Sequence, residues 1–148
     1  MKTVFEKAVR QELIDRVNRV SAQSEVKFGK MRPDQGLHHI TTVLQMYLGE
    51  VETKYHGNNF KAMLLRWFTF SPIPIPPEKA QTAPPLVAGG SYNIATEQKR
   101  FADLIERMAK RVNETEWPIS PIFGELTTKQ YGELAYKHTD HHLKQFGV

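Results

Sequence analysis

The chain has 148 residues, of which 40% are hydrophobic and 24% are charged, and this size and composition predict a single domain over residues 1–148 with one core. Its 20 Lys and Arg residues are interspersed with 16 Asp and Glu residues and give a net charge of +4, so we expect no nucleic-acid partner. The absence of cysteine excludes disulfides, thiolate ligands and a cysteine nucleophile, and leaves histidine, carboxylate and water as metal ligands.

The N-terminal residues argue against a targeting segment. The stretch Met1-Lys2-Thr3-Val4-Phe5-Glu6-Lys7 becomes charged too early for a signal peptide, and nowhere does the chain contain an apolar run of about 18 residues. We therefore expect a soluble, cytoplasmic protein with no membrane partner.

Two amphipathic helices are predicted in the first third of the chain. The first has an apolar stripe at spacings of three and four residues, formed by Phe5, Val9, Leu13, Val17 and Val20. The second is predicted from Pro33, whose missing N–H costs nothing at the first helical position, to about Leu48.

A short apolar segment and a proline-rich segment follow. Residues 60–70 are so apolar, with Met63, Leu64, Leu65, Trp67 and Phe68, that we expect them to be largely buried. Residues 71–91 contain Pro72, Pro74, Pro76, Pro77, Pro84 and Pro85 and the pair Gly89-Gly90, which neither a helix nor a central strand tolerates. This long connection between the third and fourth helical segments is interpreted as a surface linker; a lid or pocket wall is the alternative.

The remaining pattern is again helical, and it completes an all-α fold. Residues 95–112 carry one apolar stripe of Phe101, Leu104, Ile105, Met108 and Val112. Thr127 and Gln130 have the spacing of a capping box, so the last helix is expected to begin there. Four principal amphipathic helices and a short apolar one predict a helical bundle, an architecture that builds metal sites from side chains projecting into its core.

Helical phase separates the histidines into two groups. His138 and His142 are four residues apart, so they share one helix face, and they lie on the apolar stripe of the last helix. On the second helix His39 lies on the flank of the apolar stripe, whereas His38 points the other way. His141 lies to one side of its helix stripe, and we expect it to be exposed.

Three inward histidines suggest a metal site, although a commoner explanation must be weighed against it. A histidine pair at this spacing also arises by chance, and a buried histidine satisfied by one hydrogen bond is commoner than a metal ligand. The convergence of His39, His138 and His142 favours the metal site. Three protein nitrogens leave coordination positions open for water or substrate, which is typical of catalytic rather than structural zinc.

Two parts of the chain resemble a known family. Phe28-Gly29-Lys30-Met31, then Gln35 and His39-Ile40, and near the other end Pro121-Ile122-Phe123-Gly124-Glu125-Leu126 and the run from His138 to Gly147, HTDHHLKQFG, resemble the DinB-like family of four-helix-bundle metalloproteins. Within that family they are similar to uncharacterised bacterial proteins with an HxxHHLxQFG-type ending. Thr82-Ala83-Pro84-Pro85 also recurs in that subgroup.

The resemblance implies a site and a chemistry. It implies that His39, His138 and His142 bind a divalent metal, most often zinc or nickel in such proteins. Relatives in the wider family include thiol-dependent transferases, such as those using bacillithiol, and a mycothiol-dependent maleylpyruvate isomerase. A metal there would favour the thiolate of a low-molecular-weight thiol at neutral pH, as it acidifies bound water.

The functional hypothesis is therefore a metal-dependent enzyme acting on a small molecule, of the thiol S-transferase or hydrolase type. Gln145, one turn beyond His142, is a candidate to hydrogen-bond that ligand, whereas Asp140 and Glu133 face away from the histidine stripe and no residue stands out as a catalytic base. The alternative is a non-catalytic metal-binding or interaction protein, in which residues 60–70 form the surface of a homodimer.

Overall fold

The computed structural model describes residues 1–55, 59–71, 73 and 89–148. These residues form five helices: α1 (Lys7–Arg19), α2 (Pro33–Tyr47), α3 (Asn59–Thr69), α4 (Ile94–Lys110) and α5 (Thr128–Gln145). The described residues form no strand; their single β-bridge joins Ser120 to Gly124. The prediction of an all-α protein is confirmed. The six prolines of the connection between α3 and α4 lie outside the described residues, so its interpretation as a linker or a lid stays a prediction.

Four of the helices build the core. α2 packs against α4 and α5, and α1 packs against the same two helices. Each of the four supplies a buried apolar face, as expected for amphipathic helices, and the largest fully buried side chains include Leu13, Leu37, Ile40, Leu44, Phe101, Leu104, Ile105, Met108 and Tyr131. Burial of one such side chain stabilises the fold by roughly 1.5–3 kcal/mol. Together these buried side chains hold the four helices in contact, with α2 beside α5.

The predicted helices agree with the structure to within a few residues at their ends. Thr127 caps α5 as expected, since its Oγ1 accepts a hydrogen bond from the Gln130 N–H while the Gln130 Oε1 accepts one from the Thr127 N–H. One core assignment is wrong: Val112 is 46% exposed. α4 ends at Lys110, so the helical phase that would have brought Val112 inward no longer applies.

The expectation that the apolar segment 60–70 is largely buried is wrong for three of its described side chains, whereas Phe68 and Phe70 are half-buried. Met63, Leu64 and Trp67 of α3 are 56%, 52% and 71% exposed. The helix is held instead by polar contacts, because the Arg66 guanidinium donates hydrogen bonds to the carbonyl oxygens of Phe123 and Glu125. The hydrophobicity of this segment therefore did not predict the exposed position of these α3 side chains.

No helix in the described part of the chain is both long and apolar enough to cross a membrane.

Candidate metal centre

Three histidines meet where α2 packs against α5. His39 comes from α2, and His138 and His142 lie one turn apart on α5. Their candidate ligand nitrogens all lie within 4.8 Å of one another, and the three pairs of ring centroids are 4.7–4.9 Å apart. The three side chains thus lie close enough to bind one metal ion, and the phase argument that preferred His39 to His38 is confirmed.

The closest approach within the triad is between His39 and His138, whose Nε2 atoms are 3.0 Å apart. A hydrogen bond at this distance requires a proton on one of the two nitrogens. Ligand nitrogens of a tetrahedral zinc site lie about 3.3 Å apart, given Zn–N bonds of about 2.0–2.1 Å. Ligation would require the three nitrogens, which lie within 4.8 Å of one another, to move to this separation, with a change of tautomer in one ring.

The surroundings of the triad keep two of its imidazoles, those of His138 and His142, neutral. Burial lowers the pKa of His142 to about 3, with a further contribution from the neighbouring His39 ring. Burial likewise holds the pKa of His138 well below its ordinary value, and the other histidines of the cluster lower it further. Neutral imidazole is the form that binds metal, so both rings are available as ligands at neutral pH.

The three rings differ in their exposure to solvent. His39 and His142 are only 3% and 7% exposed, whereas His138 is half-buried. An exogenous ligand that reaches a metal between the rings would therefore approach from the side of His138.

Gln145 determines which nitrogen of His142 faces the triad. Its Nε2 lies 2.8 Å from the carbonyl oxygen of Phe28, which can only accept, so the amide must donate there. Its Oε1, 2.9 Å from His142 Nδ1, then accepts a hydrogen bond from that nitrogen. With the proton on Nδ1, the lone pair of the neutral ring is on Nε2, which is free to ligate.

The partner of Gln145 on the Phe28 side was not found from the sequence. Gly29 has a φ of +76°, a conformation that favours glycine. A Cβ on Gly29 would lie 2.5 Å from the Gln145 Nε2. Phe28-Gly29 entered the sequence analysis only through the family resemblance, and no sequence pattern pointed to this close approach.

His141 and His38 lie outside the triad. The His141 ring is half-buried and contacts both Phe28 and His142, with centroid distances of 5.2 Å in each case, so its expected exposure is only partly right. The His38 ring stacks on Tyr92, with centroids 3.7 Å apart, and its Nδ1 lies 3.1 Å from the Glu97 carboxylate. His38 thus belongs to the contact between α2 and α4.

A buried carboxylate organises that contact between α2 and α4. Burial would raise the pKa of Glu97, but hydrogen bonds from Thr41 and His38 and the charge of Arg100 outweigh it and hold the pKa below its ordinary value. The Thr41 Oγ1 donates at 2.6 Å. The Glu97 carboxylate contacts His38, which precedes His39 in the sequence. The sequence pattern did not identify Glu97 as part of this contact.

The two acidic residues set aside from the sequence have different surroundings. Asp140 forms ion pairs with Arg16 at 2.8 Å and Lys144 at 2.7 Å. Glu133 is buried and borders a cavity of about 790 Å³ on another flank of α5. None of the three triad histidines lines that cavity, so it is separate from the candidate metal centre.

Comparison of the chain with protein-family models, with curated proteins and with solved structures finds no match.

Proposed function

We propose that this protein is a DinB-like four-helix-bundle metalloprotein that binds a divalent ion, zinc or nickel, through His39, His138 and His142 and uses it in an enzymatic reaction of a small molecule. The observation that carries the proposal is the convergence of three inward imidazoles from two helices, two of which, His138 and His142, burial keeps neutral. The bundle arrangement is supported by the packing of α1 and α2 against both α4 and α5.

The residues present fit a divalent ion of borderline softness. The donor set is three imidazoles, which suits zinc and nickel better than magnesium or calcium. No carboxylate belongs to the cluster of candidate ligands found among the described residues. The Gln145 amide orients His142 so that Nε2 faces its neighbours, as the partners of histidine ligands commonly do.

A metal held by three protein ligands supplies Lewis acidity, which favours the thiolate of a low-molecular-weight thiol or the hydroxide form of water at neutral pH. The half-buried His138 leaves an approach for such a ligand, while the buried His39 and His142 exclude water from the other sides. Reactions that this chemistry serves are transfer to a thiol and hydrolysis.

A second candidate function, a non-catalytic metal-binding or interaction protein, is favoured by one observation. Met63, Leu64 and Trp67 form an exposed apolar surface on α3, and large exposed apolar residues that cluster often mark contact surfaces. In that case the metal would stabilise the scaffold without turnover, and α3 would meet a second copy of the chain.

Metal loading tests the site directly. Tag-free protein is incubated with zinc or nickel, desalted, and its bound metal quantified by mass spectrometry. We expect one ion per chain, lost in His39→Ala and in His138→Ala and retained in the control His141→Ala. Unchanged stoichiometry in the first two variants would refute the site.

An activity screen then separates the two functions. The metal-loaded protein is assayed against a panel of electrophiles with and without low-molecular-weight thiols, and against hydrolysable esters. Turnover that His138→Ala abolishes supports the enzyme. Metal binding without turnover, together with a concentration-dependent dimer in sedimentation, supports the second candidate.

A further inference from the structure

The cavity that Glu133 borders on α5 has the size of a ligand site. Its volume of about 790 Å³ lies between a flank of α5 and Phe70, which follows α3. Pockets for small molecules commonly have 300–1,000 Å³, with mainly apolar walls and a few placed polar groups. This cavity has the volume but a more polar wall: Met1, Phe70 and Tyr136 supply its apolar part, and its charged lining residues are Lys129, Glu133, Lys137, Asp140 and Lys144.

Glu133 is a largely buried side chain whose carboxylate oxygens remain within reach of solvent. It is 7% exposed and accepts no hydrogen bond from the described residues; its one ion-pair contact, with Lys129, is long at 3.9 Å. A carboxylate that water reaches can exchange its hydrogen bonds to water for bonds to other donors. A ligand carrying N–H donors would supply those bonds.

Lys137 is a buried cation with no carboxylate within ion-pair distance among the described residues. It is 8% exposed, and its ammonium donates to the carbonyl oxygens of Thr69 at 2.7 Å and Ser71 at 3.0 Å. An ammonium has three N–H donors, so one remains for a ligand in the cavity.

The two groups lie one helical turn apart but do not pair with each other. A Glu four residues before a Lys is the favourable order for a helical ion pair, yet within the described part of the chain Glu133 pairs only with Lys129. Both charges therefore remain available to the same cavity, one turn apart along its wall.

The combination of charges selects among ligands. A purely anionic molecule would face the carboxylates of Glu133 and Asp140, although Asp140 is already paired with Arg16 and Lys144. A purely cationic one would face Lys137 and the lining lysines Lys129 and Lys144. A molecule that carries both charges on neighbouring atoms, with an apolar body against Phe70 and Tyr136, matches the cavity.

We propose that this cavity binds a free zwitterionic α-amino acid with an apolar or aromatic side chain, its ammonium at Glu133 and its carboxylate at Lys137. The site uses no residue of the histidine triad and goes beyond the proposed metal function.

The test measures the binding of four free amino acids to the metal-free protein: leucine, methionine, phenylalanine and tryptophan. Binding is detected by chemical-shift changes and by calorimetry. At least one is expected to bind at a single site, whereas its N-acetyl derivative, which lacks the ammonium, and its amide, which lacks the carboxylate, bind at least about tenfold more weakly, as expected for loss of one charge-assisted hydrogen bond. The proposal is overturned if none of the four amino acids binds at about 10 mM. A dissociation constant of that size corresponds to a binding free energy of about 2.7 kcal/mol.

Variants place the ligand in the cavity. Glu133→Gln and Lys137→Met are each expected to weaken binding about tenfold or more, whereas the controls Glu52→Gln and Lys110→Met, at exposed positions, leave it unchanged. Lys137→Met also removes the contacts to Thr69 and Ser71, so Glu133→Gln, which keeps the shape of the side chain, is the deciding variant. Equal binding by Glu133→Gln and the parent chain would refute the assignment. Metal stoichiometry stays at one ion in every variant, so failure here is distinguishable from failure of the triad.

Discussion

The Gln145 side chain joins a candidate metal ligand to a segment more than a hundred residues away in sequence. Its oxygen accepts from Nδ1 of His142 at 2.9 Å, and its nitrogen donates to the Phe28 carbonyl at 2.8 Å. The Phe28 carbonyl fixes the amide, and the amide fixes the imidazole tautomer. The segment before α2 thus acts on the ligand geometry of α5.

Replacing Gln145 should weaken metal binding without removing a ligand. Gln145→Leu is expected to lower zinc affinity about 10–100-fold, the usual effect of losing such an orienting partner, as measured by competition with a chromophoric chelator. Gln145→Glu keeps an acceptor for Nδ1–H but cannot donate to Phe28, so an intermediate affinity is expected.

Cobalt substitution provides a readout that a general loss of stability would not change. The visible absorption bands of bound Co²⁺ report ligand geometry, and we expect them to shift in Gln145→Leu and to stay in place in His141→Ala. Identical affinity and spectra for Gln145→Leu and the parent chain would show that the hydrogen bond does not orient His142.

Acid should destabilise the metal-free protein in the range where histidine titrates. The pKa of His142 is about 3 in the folded protein and about 6.5 when unfolded, so the unfolded chain binds more protons between these values. The contribution is fully present above pH 6.5 and is lost as the pH falls towards 3. His142 alone is expected to lower the free energy of unfolding by roughly 2 kcal/mol between pH 7 and pH 5.

Urea titrations at the two pH values, with chelator present, measure this loss. Three carboxylates also have a lowered pKa: Glu97, Asp34 and Asp140. Their contribution to stability is lost only below about pH 5, so it changes little between pH 7 and pH 5. His142→Leu should reduce the difference between pH 7 and pH 5. A stability that is the same at both pH values would contradict the buried neutral state of His142.

Two glycines of very different surroundings test the packing of α2 against the end of the chain. A Cβ on Gly36 would lie 2.2 Å from the ring of Phe146, which is only 2% exposed and has no room to withdraw. Gly36→Ala is expected to cost about 1–3 kcal/mol of unfolding free energy, as overpacking does. Gly89→Ala, where a Cβ meets nothing within 4 Å, is the matched control and should stay within about 0.5 kcal/mol of the parent. Equal effects would show that α2 and Phe146 do not pack as described.

The exposed face of α3 leads to an unusual expectation for an aromatic residue. Trp67→Ala should change the stability of the monomer by no more than about 0.5 kcal/mol, because 71% of the side chain is already in water. Phe101→Ala in the core should cost about 3–5 kcal/mol, since Phe101 is fully buried.

Fluorescence gives an independent check on Trp67. In a Trp117→Phe background the remaining tryptophan is expected to emit at long wavelength and to be quenched efficiently by iodide. A blue-shifted, protected Trp67 at low protein concentration would mean that α3 buries this face after all.

The histidine triad illustrates how far helical periodicity reaches. His138 and His142 share a face because four residues make about one turn, and the phase of α2 brings His39 inward. Both statements depend on local geometry alone. Helical periodicity does not by itself predict that α2 lies beside α5, because several pairings of amphipathic helices bury the same apolar area.

The apolar residues of α3 illustrate where that reasoning fails. Composition says that Met63, Leu64 and Trp67 favour burial, but burial needs a partner surface, and the core is already formed by α1, α2, α4 and α5. Similarly, Glu133 was set aside because it faces away from the histidines, and its position on a separate cavity depended on where α3 ends.

The sequence by itself determined the helical class, the ends of most helices and the three inward histidines, because these depend on the period of the helix and on caps within a few residues. Only the tertiary structure decided the distances between the imidazoles, the orientation of His142 through Gln145 and Phe28, and the exposure of α3. Those features join residues far apart in the chain, and their energies depend on which surfaces meet, which no local pattern encodes.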